Sequence, residues 1–132
     1  MPTIIRKSTS TLFETRREIL HAVSWQVRSH VWSPPTDQYE TNETYVVRVE
    51  IAGMREEDFE VSFENNTLFI SGLRPDFPER RAYQQMEIRF GNFATALSLP
   101  GPVNIEQACA EYKDGFLTVI FPKAVFGKTE VE

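Results

Sequence analysis

The feature that most constrains the fold is a run of short β-prone segments that begins after Ser33-Pro34-Pro35. Proline removes an amide donor and disfavours the helical region in the residue before it, so a helix is expected to end here. Beyond it, apolar and polar residues alternate in segments bounded by turn-forming residues, which predicts many short antiparallel strands packed as an immunoglobulin-like β-sandwich. The predicted strands are 44–52, 59–64, 67–71, 85–90, 93–99, 108–112 and 116–121.

Two of the turns between these segments predict tight hairpins. Asn65-Asn66 separates two strictly alternating runs, and asparagine tolerates the positive φ that such turns require. Asp114-Gly115 occupies the equivalent place between the last two strands, and Gly115 supplies a positive φ at no steric cost. Pro122 is expected to end the final strand.

The residues before these prolines are predicted to form an arm outside the sandwich. Thr11 and Glu14 have capping-box spacing. On a helix that begins there, Leu12, Ile19, Leu20, Val23, Val27 and Val31 share one face. An isolated helix of this length is marginal in water, so it either docks on its own domain or serves as an exposed adhesive segment. We therefore expect one domain with two extensions: an amphipathic helical arm at 1–32, a sandwich at 33–123 and a tail at 124–132.

Charge and cysteine content limit the partners. The chain of 132 residues has a net charge of −5, with the basic excess confined to residues 1–32. An acidic body disfavours nucleic acid, which needs a basic face. The single cysteine, Cys109, excludes an intramolecular disulfide framework. With no run of signal-peptide length near the N-terminus and no apolar stretch of about 20 residues, we expect a cytoplasmic protein without membrane partners.

Candidate catalytic and metal sites do not assemble. His21 and His30 lie on the arm with no cysteine or carboxylate at metal-ligand spacing. Cys109 would need a histidine from that arm to act as a nucleophile. Gly127-Lys128-Thr129 lacks the earlier glycine of a phosphate-binding loop, since Pro122 stands there. We predict no enzyme activity, catalytic residue, metal or cofactor.

The order of the motifs carries a family resemblance over about ninety residues. Single motifs are weak, but together, in sequence order, they resemble the α-crystallin domain of small heat-shock proteins, most closely its bacterial and plant form. The matching segments are Trp32-Ser33-Pro34 with Asp37 and Tyr39-Glu40; residues 47–53 with Glu56 and Asp58; Leu68-Phe69-Ile70-Ser71-Gly72; Tyr83, Glu87, Gly91, Phe93, Leu99 and Pro100; Ala110 with Asp114-Gly115-Phe116-Leu117; and Pro122-Lys123.

The resemblance implies an ATP-independent chaperone, a holdase that binds unfolding proteins under stress and keeps them from aggregating. Its implied client-binding residues are apolar and lie in the arm and in the groove strand: Leu12, Phe13, Ile19, Leu20, Trp25, Phe59, Val61 and Phe63. A CS-domain adaptor, which docks onto a larger chaperone and is monomeric, is the alternative that shares the sandwich.

The resemblance also implies a homodimer, in which the loop after Gly72 adds a strand to the partner's sheet. We expect that loop at 73–84, with interface residues Phe77, Arg80, Arg81, Tyr83, Glu87 and Arg89. In the family, a C-terminal I-x-I/V motif of a neighbouring dimer binds the groove between strands 59–64 and 108–112.

Two positions depart from the family pattern. Thr95 stands where many members have an interface arginine, for which Arg81 or Arg89 would have to substitute. In the tail, Thr129-Glu130-Val131 stands in place of the I-x-V motif, so the first apolar anchor is missing. We therefore expect Thr129 and Val131 to dock weakly, and the protein to form dimers or small oligomers.

Overall fold

The computed structural model describes residues 3–5 and 31–124, and within them the chain is all β with two single-turn 3₁₀ helices. The predicted fold class, an antiparallel β-sandwich, is confirmed. The predicted arm helix lies outside the described residues. The strands are β1 (Thr3–Ile5), β2 (Thr36–Glu40), β3 (Thr44–Glu50), β4 (Phe59–Glu64), β5 (Thr67–Arg74), β6 (Gly91–Ser98), β7 (Cys109–Lys113) and β8 (Phe116–Pro122); the 3₁₀ turns are Glu56–Asp58 and Ile105–Gln107.

The strands form two antiparallel sheets. One has five strands in the order β1-β7-β8-β3-β2, and the other has three in the order β4-β5-β6. The edge strands of the larger sheet are β2 and the short strand β1, which pairs with β7. Edge strands present unpaired backbone groups.

The core lies between the sheets and follows the predicted alternation. Val47, Val49 and Ile51 are fully buried from one strand face, as their spacing by two requires. Phe93 lies in this core, with its ring centroid 5.7 Å from that of Trp32 and 6.1 Å from that of Phe59. Burying each such side chain contributes about 1.5–3 kcal/mol to stability.

Both predicted hairpin turns are confirmed. Asn65 and Asn66 have φ of 53° and 58°, and Asp114 and Gly115 have φ of 52° and 83°. Two consecutive residues with positive φ are the mark of a type I′ turn, whose twist matches that of the flanking strands.

The ends of the sandwich are joined by an ion pair. Lys123 Nζ lies 2.7 Å from Glu40 Oε2, and the lysine side chain is only 3% exposed. The ammonium also lies 5.0 Å from the centroid of the Tyr45 ring. The contact links the end of β2 to the residue that follows β8. These positions lie near the start and the end of the predicted domain, 33–123.

One predicted strand is wrong. Residues 85–90 form no strand, and the ladder between β5 and β6 ends at the pair Arg74 and Gly91. Gly91 has φ of 90°, a conformation that turns the chain out of the sheet. The connection is therefore a loop of residues 75–90, longer than the 73–84 expected, while β5 continues through Gly72 to Arg74.

Candidate protein-binding surfaces

The loop of residues 75–90 carries large apolar side chains that contact solvent. Phe77 is 77% exposed, Ile88 65%, Met86 63% and Tyr83 48%. Apolar side chains scattered singly over a surface are ordinary, but four in one loop are not, and we call these four the apolar patch of the loop. Exposed apolar patches are typical of surfaces that contact other proteins.

Arg74 fixes the base of this loop. Its guanidinium donates hydrogen bonds to the carbonyl of Arg89, at 2.8 Å from Nε, and to the carbonyl of Ala52 at 3.4 Å. Its Cζ lies 4.7 Å from the centroid of the Trp32 ring and 5.3 Å from that of Phe90. Arg74, the last residue of β5, thus holds the return leg of the loop beside the sandwich.

Arg81 organises the tip. It lies 2.7 Å from Asp76 Oδ2 and 3.1 Å from Glu79 Oε1, and its Cζ lies 5.3 Å from the centroid of the Tyr83 ring. Desolvation alone would raise the pKa of Asp76, but hydrogen bonds from the Phe77 amide and from Arg81 lower it below its ordinary value. The carboxylate is therefore charged at neutral pH, and the ion pair is lost only as the pH falls through that lowered pKa.

An open cleft of about 1180 Å³ lies between the loop legs and the sandwich. Its wall is mostly apolar and is contributed by the segment around Trp32, the end of β3, both loop legs and the turn between β7 and β8. Phe77, Ile88, Phe90 and Phe116 line it. The cleft continues the apolar patch of the loop onto the body of the domain.

The outer edge of strand β2 is a second candidate surface. The strand pairs with β3 on one side only, and none of the other described strands pairs with its outer edge. Three of its residues, Asp37, Gln38 and Tyr39, are exposed. An open edge of this kind can accept a strand from another chain.

The groove that the resemblance implies would lie between β4 and β7. The rings of Phe59 and Tyr112 meet there with centroids 4.9 Å apart. The Tyr112 hydroxyl donates to the carbonyl of Ile51 at 2.7 Å and accepts from the amide of Met54 at 3.3 Å. The outer edge of β7 is paired with β1, a strand that the sequence analysis did not predict.

The predicted site residues are distributed unevenly among these surfaces. The predicted interface residues lie together on the exposed loop and its return leg: Phe77, Arg80, Arg81, Tyr83, Glu87 and Arg89. Arg81 is engaged within the loop, and Arg89 meets Arg74 through its carbonyl. Half-buried Thr95 lies on β6, paired with Ile70.

Among the predicted client-binding residues, Phe59 and Val61 are buried in the core and Phe63 is half-buried. In this conformation, only Phe63 of these three offers surface to a client. The arm residues Leu12, Phe13, Ile19, Leu20 and Trp25, and the tail residues Thr129 and Val131, lie outside the described residues.

Sequence reasoning missed Met86, Ile88 and the role of Arg74. The signal for the first two was present, since Met86, Ile88 and Phe90 alternate with polar residues. That alternation was assigned to a strand of the chain's own sandwich, whereas the structure places it in the loop. Arg74 had no signal, because its partners are backbone carbonyls brought close by the fold.

Across residues 3–5 and 31–124, no helix has the length and apolarity needed to cross a membrane.

Comparison with known proteins assigns a family. The sequence profile of the Hsp20/alpha crystallin family matches residues 37–131. The chain is 32% identical over 98 residues to small heat shock protein C2 of Rickettsia felis, a match that covers 73% of this chain and 64% of that protein. It is 31% identical over 125 residues to the 16.9 kDa class I heat shock protein 1 of Triticum aestivum, covering 91% of this chain and 83% of that one.

Comparison with solved structures also finds heat shock proteins. Heat shock protein 16.0 from Schizosaccharomyces pombe superimposes with a TM-score of 0.68 at 29% identity, covering 76% of this chain and 94% of that chain. The chain spans less than two thirds of the Rickettsia felis proteins C2 and C4, matching 64% and 58% of their lengths.

Proposed function

Because the chain belongs to the Hsp20/α-crystallin family, we propose that it acts as an ATP-independent chaperone that binds unfolding proteins and keeps them in solution. This reaction needs no bond-making residue and no cofactor. It needs apolar surface that is available to a client and a body that stays folded while the client does not. The family match favours this function over that of a CS-domain adaptor.

The observation that carries the proposal is the apolar patch of loop 75–90 together with the cleft beneath it. Phe77, Met86 and Ile88 are each more than 60% exposed, although burial of each would stabilise the protein by about 1.5–3 kcal/mol. Because the sandwich already has a complete core, leaving these side chains in water costs free energy that burial would recover. Their exposure is accounted for if they contact a second copy at rest or a client under stress.

We assign the resting contact to a homodimer. The loop segment from Met86 to Phe90 has the alternation of a strand, and β2 has an open edge. Pairing of this segment with the partner's β2 would give it the ladder that its own chain does not supply. The exchange segment then lies beyond the expected residues 73–84 and contains Glu87, Arg89 and the apolar residues that alternate with them.

Client binding is assigned to surfaces that become free when the assembly loosens. The arm residues Leu12, Phe13, Ile19, Leu20 and Trp25 remain the leading candidates, with Phe63 and the loop patch as the domain's contribution. The acidic body and the absence of a nucleotide-binding motif in the sequence are consistent with protein clients. We place this activity in the cytoplasm and expect the arm, the sandwich at 33–123 and the tail to act as separate parts.

The proposal is tested by light scattering from a heat-labile client that is unrelated to this protein. The protein should suppress the rise in scattering to the same extent with and without ATP. Lysozyme at equal mass serves as the control for unspecific protection. Scattering that is unchanged at a several-fold molar excess of the chain would refute the chaperone function, and suppression that requires ATP would refute its mechanism.

A further inference from the structure

One large apolar side chain is buried outside the core of the sandwich. Phe69 is only 6% exposed, yet it lies on the face of β5 opposite to that of the core residues Leu68 and Ile70. Its register partners are Ser62 of β4 and Ala96 of β6, and we call the face that carries these three the outer face of the smaller sheet. Serine and alanine side chains are too small to cover a phenyl ring, so the neighbouring strands do not account for the burial of Phe69.

Ser62 shows the same discrepancy. Its side chain is fully buried on the outer face, and its hydroxyl has no hydrogen-bond partner in the described part of the chain. None of the described strands packs on this face, because the two sheets meet through their inner faces. On the larger sheet, by contrast, Val46 is buried outside the core beside the large register partners Tyr39 and Ile120. The outer face of the smaller sheet therefore has the burial of a covered surface.

The chain between β1 and the sandwich has its two ends on opposite sides of the smaller sheet. Trp32 bridges to β6 at the edge that β5 does not occupy, and half-buried Val31 precedes it. At the other end, β1 pairs with β7, which faces β4 through the contact between the rings of Phe59 and Tyr112. Residues 6–30 thus connect the β4 side of the sandwich to the β6 side. The shorter way around crosses the three strands of the smaller sheet rather than the five of the larger one.

The sequence of residues 11–31 supplies a segment suited to this face. The stripe of the predicted arm helix is apolar and consists of Leu12, Ile19, Leu20, Val23, Val27 and Val31. At 100° per residue, Arg17 and Arg28 border this stripe, whereas Glu14 and Glu18 lie on the opposite side of the helix. The helix therefore combines an apolar surface with a basic margin.

The outer face is complementary to that helix in charge. Glu60 and Glu64 lie two residues before and after Ser62, on the same face of β4. By alternation along β4, β5 and β6, none of the lysines or arginines of these three described strands shares the face. With the stripe over Phe69, the basic margin can meet the two carboxylates, and opposite charges of this kind set the orientation of a contact.

We propose that the outer face of the three-stranded sheet is the docking surface of the chain's own arm, with the apolar stripe of residues 11–31 packed over Phe69. The proposal rests on the proposed function in one respect, since the arm residues assigned to clients become available only when the arm leaves this face. Docking withholds Leu12, Ile19 and Leu20 from clients, and release of the arm uncovers Phe69 as a further apolar contact.

Limited trypsin digestion of the full chain tests the docking, with cleavage after Arg16 and Arg17 followed by mass spectrometry. A docked helix resists cleavage because the protease acts on the opened segment. We expect Phe69→Ser and Leu20→Ser each to speed this cleavage at least tenfold, and the double variant to be no faster than either, since both remove the same contact. Phe116→Ser, the same change at an exposed position of β8, should leave the rate unchanged.

A mixture of the two single variants distinguishes the chain's own arm from that of a second copy. Phe69→Ser chains keep an intact arm, and Leu20→Ser chains keep an intact outer face. If the arm docks within its own chain, both arms are still cleaved rapidly after the subunits have been incubated together to exchange. Protection of the intact arm in the mixture would show docking between chains and overturn the proposal.

Rapid cleavage of the wild-type arm would also overturn it, as would a double variant whose rate increase is the product of the two single increases. Circular dichroism verifies that each variant is folded. Should Phe69→Ser unfold, Glu60→Arg replaces it, because this exposed position reverses a charge that faces the arm and should speed cleavage severalfold. The digestion contains no client, so failure of this proposal and failure of the chaperone function are distinguishable.

Discussion

At the scale of single residues, Gly72 shows why the motif Leu-x-Ile-x-Gly ends in glycine. A Cβ added there would lie 2.6 Å from the carbonyl oxygen of Asp58 and 2.7 Å from a ring carbon of Phe93. Neither neighbour can yield cheaply, because one is backbone and the other is a fully buried ring. The glycine therefore allows β5 to pass close to the 3₁₀ turn that precedes β4.

Gly72→Ala should accordingly destabilise the domain by about 2–3 kcal/mol, since overpacking of a well-packed core costs this much. Urea unfolding followed by circular dichroism measures the change. Gly91→Ala is the contrasting variant, because Gly91 has φ of 90° and no atom within 4 Å of an added Cβ, so it reports backbone strain without crowding, whereas Gly72 is crowded without positive φ. A Gly72→Ala protein as stable as the wild type would show that the close approach is not real.

Ser62 is a position at which the native side chain lowers the stability of the sandwich. Its side chain is fully buried, and its hydroxyl has no hydrogen-bond partner in the described part of the chain. A buried polar group left without a partner costs about 1–3 kcal/mol.

Ser62→Ala should therefore stabilise the domain, by about 1 kcal/mol, because it removes the unsatisfied hydroxyl and leaves only a small void. The melting temperature measures this. Ser71→Ala, a half-buried serine on the neighbouring strand, should give little change. A lower melting temperature for Ser62→Ala would mean that the hydroxyl has a partner that we have not identified.

At the scale of elements, most strands could be predicted from local residue patterns, whereas the others depended on contacts between distant parts of the chain. Both hairpins were readable because Asn65-Asn66 and Asp114-Gly115 favour positive φ wherever they occur. Strand β2 was missed since its exposed residues show no alternation, and β1 was missed because three residues are too short for a pattern. Residues 85–90 were misassigned because alternation indicates a strand without indicating whose sheet it joins.

The loop of residues 75–90 supports a prediction at this scale. Ile88→Glu should convert the proposed dimer to monomers, because it places a charge in the centre of the apolar patch, 65% exposed in a single chain. Sedimentation or light scattering after size exclusion gives the mass. Gln84→Glu adds the same charge to an exposed polar residue in the same loop and should leave the dimer intact.

A dimer that persists in Ile88→Glu would place the interface elsewhere.

The site residues in this loop could be predicted only in part from the sequence: Phe77, Tyr83 and Glu87 followed from the family resemblance. Met86, Ile88 and Arg74 could be identified only from the fold, in which this loop is separate from the sheet.

At the scale of the whole molecule, the division into arm, sandwich and tail stays a prediction. We expect the sandwich to fold without residues 1–30, because Trp32 is buried against Phe93 and bridges to it. Removing residues 1–30 should leave the β-sheet circular dichroism signal intact while lowering client protection severalfold. Loss of the melting transition in the truncated chain would assign the arm to the core.

The central claim, that the chain holds unfolding proteins in soluble complexes without nucleotide, is tested most directly by recovering those complexes. A heat-labile client is heated with the chain in the absence of ATP, centrifuged, and the supernatant is resolved by size exclusion with multi-angle light scattering. The account predicts client and chain together in a soluble peak heavier than either alone, and no such peak when the client is kept native. Client found entirely in the pellet, with the chain eluting at its own mass, would contradict it.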